Sequence, residues 1–172
     1  MSSLQKLPFF QEWDFLDRYR AAHAEEIQAA QADPSKHGEV NAAYIEALKV
    51  ESKRFNKQRD EIAAANASLF LVDPEGVMRE LEDQCTRSFS LSEMLFIYGI
   101  ASVKSKRHGR GVLRHKGTDY AGTCSNWIAT VQIGERTGTV DFMAYSDRHS
   151  RADGEANAAL TFAREIVAEA KA

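Results

Sequence analysis

The chain has 172 residues, 44% hydrophobic and 27% charged, with a net charge of −3. That composition is globular and excludes wholesale disorder, and no apolar run approaches the roughly 18 residues that span a bilayer. Two cysteines, Cys85 and Cys124, are too few for a disulfide framework and have no metal-ligand spacing. Met1 to Pro8 lacks the basic and apolar regions of a signal peptide, so the expected compartment is the cytoplasm, with no membrane partner.

The charge is uneven. Residues 1–99 carry 11 Lys and Arg against 17 Asp and Glu, whereas residues 100–172 carry 11 against 8. Lys104, Lys106, Arg107, Arg110, Arg114 and Lys116 fall in one acid-free stretch with His108 and His115. Such a stretch suits a polyanionic partner, and it equally suits a solvated loop.

In chain order, Pro8 opens a helix whose stripe is Phe9, Trp13, Leu16, Tyr19 and Ile27, with His23 on the same side. Asp33-Pro34 ends it, because a proline disfavours helical geometry in the residue before it. A second helix is expected over 38–67, striped by Val40, Tyr44, Leu48, Phe55, Ile62 and Leu69, with Ala43, Ala47 and Ala63 as small contacts. Its spacings of four and seven suit a helical hairpin or a short coiled coil. Glu51, Lys53, Lys57, Asp60 and Glu61 form its solvent face. The run Leu69 to Val72 fits either the end of that helix or a strand.

Asp73-Pro74 reads as an N-cap with proline at the first helical position, beginning a helix that ends near Cys85. Ser90-Leu-Ser-Glu93 has the spacing of a capping box. The residues after it, Met94 to Tyr98, are apolar on more than one side, which predicts a buried helix interrupted at Gly99. Lys104 to Gly122 is expected to be a loop with one short strand near 111–115. Trp127, Ala129, Val131 and Ile133 alternate with Ile128, Thr130 and Gln132 as a strand. Gly134 to Gly138 predicts a hairpin turn, and Val140, Phe142 and Ala144 a second strand. A closing helix presents Ala158 or Ala159, Phe162, Ile166 and Ala170.

The chemistry-bearing residues point mainly to one class. Arginines on a sheet face can enter a groove while loop lysines neutralise phosphates; the candidates are Lys104, Lys106, Arg107, Arg110, Arg114, Lys116, Trp127 and, at the turn, Arg136. Arg110-Gly-Val112, Arg114, Trp127-Ile-Ala-Thr-Val131 and the alanine-rich helix with Ala158-Ala159 and Phe162 resemble the three-stranded-sheet-plus-helix DNA-binding module of AP2 type. That resemblance, over about residues 109–167, implies a sheet in the major groove with contacts from Arg110, Arg114 and Trp127. Ser150 with Ala158-Ala159 also resembles the closing helix of double-stranded-RNA-binding domains.

Enzyme readings have less support. Cys124 could act as a nucleophile with His115 or His149 as its base, but a small packed cysteine is the commoner role. Asp147, His149 and Asp153 hold metal-ligand types in what reads as an ordinary polar loop. Gly109-Arg-Gly111 lacks the spacing of a phosphate-binding loop. Glu75, Glu80, Glu82 and Asp83 read as a solvated helix face. No cofactor is implied. Phe9, Phe10 and Trp13 fit a core, or else a docking surface.

The expectation is therefore an α+β protein: a helical hairpin or bundle over 1–103, then a small antiparallel sheet packed by a C-terminal helix over 104–172. The second part would bind nucleic acid, with duplex DNA the expected polymer. The alternative is a protein-binding adaptor or inhibitor acting through the acidic helical half without catalysis. A homodimer through the 38–67 helix fits either reading.

Overall fold

The computed structural model describes the backbone of residues 4–115, 118–145 and 148–172 and, within these, every side chain except those of 111–123 and 148. It is α+β. Helices α1 (Glu12–Ala22), α2 (Ala24–Ala32), α3 (His37–Val72), α4 (Pro74–Asp83) and α5 (Leu91–Ile97) precede strands β1 (Ser102–His115), β2 (Thr118–Ile133) and β3 (Arg136–Tyr145), and α6 (Arg148–Ala170) closes the chain. A 3₁₀ turn at Pro34–Lys36 separates α2 from α3. None of the described helices is long and apolar enough to cross a membrane. Two compact units result, residues 8–61 and residues 1–7 with 62–172. Residues 62–103, grouped by sequence with the N-terminal helices, thus belong with the sheet.

In the unit of residues 8–61, Phe15 and Tyr19 of α1 and Ala30 of α2 are buried. Tyr44 of α3 packs on Phe15 and Tyr19 with ring centroids 5.9 and 5.2 Å away, and Phe10 meets Phe55 at 5.2 Å. Two expectations need correction here. The helix expected from Phe9 to Asp33 breaks at His23 (φ −118°, ψ 27°). There the ring stacks on Tyr19 at 4.3 Å and Nδ1 lies 3.0 Å from Glu26, side-chain contacts that no Pro or Gly announces. The helix also starts at Glu12 rather than after Pro8, so Phe9 precedes it, and Phe15 and Tyr19 take its inward face; Phe9 and Trp13 are 84% and 76% exposed rather than core.

The other unit is built on a core drawn from α3, α4, α5, the sheet and α6, with Phe70, Leu81, Leu95, Ile100, Ile133 and Val131 fully buried. Leu69 to Val72 finishes α3 as helix. Asp73 caps α4 by accepting from the Gly76 amide at 2.9 Å. Ser90 and Glu93 form the expected capping box of α5, and Gly99 takes the left-handed φ of +64° that ends that helix. Buried Asn66 ties residues 4–7 to α5: its Nδ2 donates to the carbonyls of Gln5 and Tyr98, each at 2.6 Å, and its Oδ1 accepts from the Gln5 amide at 3.2 Å.

The sheet is antiparallel in the order β1-β2-β3, which leaves β1 as an edge. β2 and β3 meet in a two-residue turn with Gly134 at φ +56°, shorter than the expected Gly134–Gly138 segment. Ala129, Val131 and Ile133 of β2 and Ala144 of β3 are buried toward the core. α6 lies on this face through Ala158, Ala159, Phe162, Ala163 and Ile166. The approach is close: a Cβ at Gly154 would overlap the Phe142 ring, and one at Gly138 the Phe162 ring.

Candidate nucleic-acid interface

Where a loop was expected from Lys104 to Gly122, β1 and β2 form one long ladder from Ser102↔Gln132 to His115↔Thr118. The ladder shifts register twice, between Arg107 and Gly109 and between Gly111 and Val112. β3 pairs with β2 only from Ile133 back to Cys124. Beyond Cys124 the hairpin therefore continues as a two-stranded ribbon.

The register assigns each expected residue to a face, because directly opposed residues point to the same side of a sheet. Lys104↔Thr130 and Lys106↔Ile128 lie on the face away from α6, continued on β3 by Thr139 and Asp141. Arg107 pairs with Trp127 and Arg110 with Ser125, which puts both arginines on the α6 side of the same edge. Lys104, Lys106, Arg107, His108 and Arg110 are all exposed. None of them has an ion pair among the described residues, whereas Arg54, Arg79, Arg136, Arg151 and Lys171 each do. Arg114 stands opposite Asp119 in the backbone register; its side chain, and Lys116 altogether, lie outside the described residues.

Two expected contact residues are not brought to this surface. Trp127 turns to α6, stacked parallel to Phe142 with centroids 6.4 Å apart and with the Arg151 guanidinium 5.5 Å from its ring centre. Its buried indole N–H has no hydrogen-bond partner among the described residues. Arg136, at the start of β3, is engaged by Glu169 of α6 at 2.6 Å.

Two neighbouring recesses open beside the lysines. One, of about 340 Å³, is lined by Lys104, Lys106, Arg107 and Thr130. The other, of about 380 Å³, is lined by Asn126, Asp141 and Met143, and is bordered by Trp127 and Phe142. His108 and Ile128 belong to both. His108 was noted in sequence only as a neighbour of the basic stretch, and Asn126 and Asp141 were not among the expected contact residues. Their signal was the period-two alternation itself, which fixes Asn126 and Ile128 opposite the core-facing Trp127 and Ala129.

The other constellations sit elsewhere. Cys124 is 2% exposed, and no hydrogen bond joins it to a histidine among the described residues. Asp147 lies outside the described residues, and among those described no three His, Cys, Asp or Glu side chains gather as a metal site. On α4, Glu75 contacts Arg79 at 3.3 Å and Lys171 at 3.2 Å. No protein-family model, curated protein or solved structure matches the chain.

Proposed function

We propose that the protein binds nucleic acid along β1 and the sheet face turned away from α6. The observation that carries this reading is the run of exposed cations on one edge strand, Lys104, Lys106, Arg107 and Arg110, unpaired among the described residues. An edge strand can present a row of positive charge to a phosphate backbone, where each contact releases condensed counterions. Lys104 and Lys106 would neutralise phosphates from the open face, with Arg107 and Arg110 extending the band around the edge. The role is accessory or regulatory binding.

The test is fluorescence anisotropy of labelled duplex and single-stranded DNA and RNA with the full chain at low salt. Saturable binding that weakens at least about tenfold when Lys104, Lys106 and Arg107 are replaced by alanine supports the reading. No binding to any of the four polymers removes it.

A second reading is favoured by a different observation: Phe9 and Trp13 are exposed on the helical unit, as are Ile45 and Val50 on α3. Aromatic anchors of this kind serve protein contacts, and α3 would be the contact in a homodimer. Sedimentation equilibrium tests the dimer directly, because a monomer at high concentration removes self-association through α3.

A further inference from the structure

We infer that the open face selects single-stranded nucleic acid by taking one unpaired guanine into the recess between His108, Asn126 and Asp141. This rests on the nucleic-acid reading and specifies its ligand. The starting point is a carboxylate in the wrong place for phosphate binding. Asp141 is exposed on the same face as Lys104 and Lys106, one strand beyond Ile128 in the row Lys106–Ile128–Asp141. No ion pair or hydrogen bond engages it among the described residues. A surface that only tracked phosphates would be weakened by such a charge; a surface that reads a base can use it.

The chemistry of the four bases decides which one. A carboxylate offers two adjacent acceptors and binds strongly to two adjacent donors. Only guanine carries two neighbouring N–H donors, at N1 and N2, on its Watson–Crick edge. Adenine and cytosine place an acceptor beside their amino group, and thymine or uracil flanks a single N–H with carbonyls that repel the carboxylate. Asn126, diagonal to Asp141 across β2 and β3, supplies an amide donor for guanine O6. Ile128 and Met143 form the apolar floor and His108 a ring for stacking, the usual complement for a splayed-out base.

The adjoining recess completes the nucleotide. It shares His108 and Ile128 with the first and carries Lys104 and Lys106. Neighbouring strands lie about 4.8 Å apart, so Lys106 stands two strand spacings from Asp141, with the sugar and phosphate bridging toward it. In a duplex the edge of guanine that Asp141 reads is occupied by cytosine, which excludes paired DNA from this mode.

The experiment compares the full chain with its Asp141→Asn variant on short single strands of three kinds: all thymine, thymine with central guanines, and the same strand with inosine for guanine. Ribose versions and a duplex containing the guanines complete the set. The guanine strand is expected to bind about 10- to 100-fold more tightly than the thymine strand, the range for a good bidentate base contact. Inosine, which lacks the N2 amine, should forfeit most of that gain. Asp141→Asn should abolish the preference and tighten thymine-strand binding, because a negative charge leaves the face. Equal affinity for guanine and thymine strands, a preference that survives Asp141→Asn, or an equal guanine dependence in the duplex overturns this inference alone. Failure of every strand to bind at low salt overturns the underlying reading with it.

Discussion

Replacing Asn66 by alanine should loosen residues 4–7 from the sheet-bearing unit. Asn66 is 1% exposed and makes three hydrogen bonds, one to the Tyr98 carbonyl and two to the Gln5 backbone. Alanine leaves the Tyr98 carbonyl without its donor in a buried setting, a penalty of about 1–3 kcal/mol. Gln5 is exposed, so its backbone groups can turn to water, and their loss adds about 1 kcal/mol. The expected destabilisation is about 2–4 kcal/mol. Urea unfolding followed through Trp127, in a Trp13→Phe background, reads this unit alone, since Trp13 belongs to the other one. The Leu7 amide, which donates to the Ile97 carbonyl at 2.9 Å, should exchange its hydrogen faster. Ser68→Ala, two residues away and exposed, serves as control and should change stability by less than about 0.5 kcal/mol. An Asn66→Ala effect as small as the control's would refute the argument that this side chain holds the segment.

Two further predictions concern the frame of the sheet. Gly154→Ala should cost about 1–3 kcal/mol in thermal unfolding, because its methyl group collides with Phe142. Gly38→Ala, where nothing lies within 4 Å, should be neutral or slightly stabilising. Ser90→Ala should cost about 1 kcal/mol at neutral pH through loss of the capping box. Hydrogen bonds from the Ser90 backbone and hydroxyl hold the Glu93 carboxyl below its usual 4.5. A carboxylate with a depressed folded pKa contributes stability above 4.5 and loses it as the pH falls through the folded value. The gap between wild type and Ser90→Ala should therefore narrow in acid unfolding series below pH 4.5, and a gap independent of pH would contradict the assignment.

What the sequence made legible was local chemistry. The Asp73-Pro74 start of α4, the Ser90–Glu93 box, and the alternation over Trp127–Ile133 and Val140–Ala144 each carry their cause within a few residues, and each stands in the structure. The length of β1 was not legible. Its residues 104–110 are polar or glycine on both faces of a sheet edge, so they show no apolar alternation, and only pairing with β2 makes them a strand. The break at His23 depends on a stack with Tyr19 and a contact with Glu26 rather than on a helix breaker. The candidate site divided in the same way. The basic stretch could be seen as composition, but which cations share a face follows from register. Register also sends Trp127 to α6 and brings Asp141 onto the open face with the lysines.

The central claim, that Lys104, Lys106 and Arg107 contact phosphates, is tested most directly by the salt dependence of binding. The measurement is the slope of log affinity against log salt concentration for a single strand, in wild type and in the triple alanine variant. Three lost phosphate contacts at about 0.7 each predict a slope shallower by about 2. If these cations serve only to keep the free edge of β1 from pairing with another chain, the slope will be unchanged while self-association rises, and the account is contradicted.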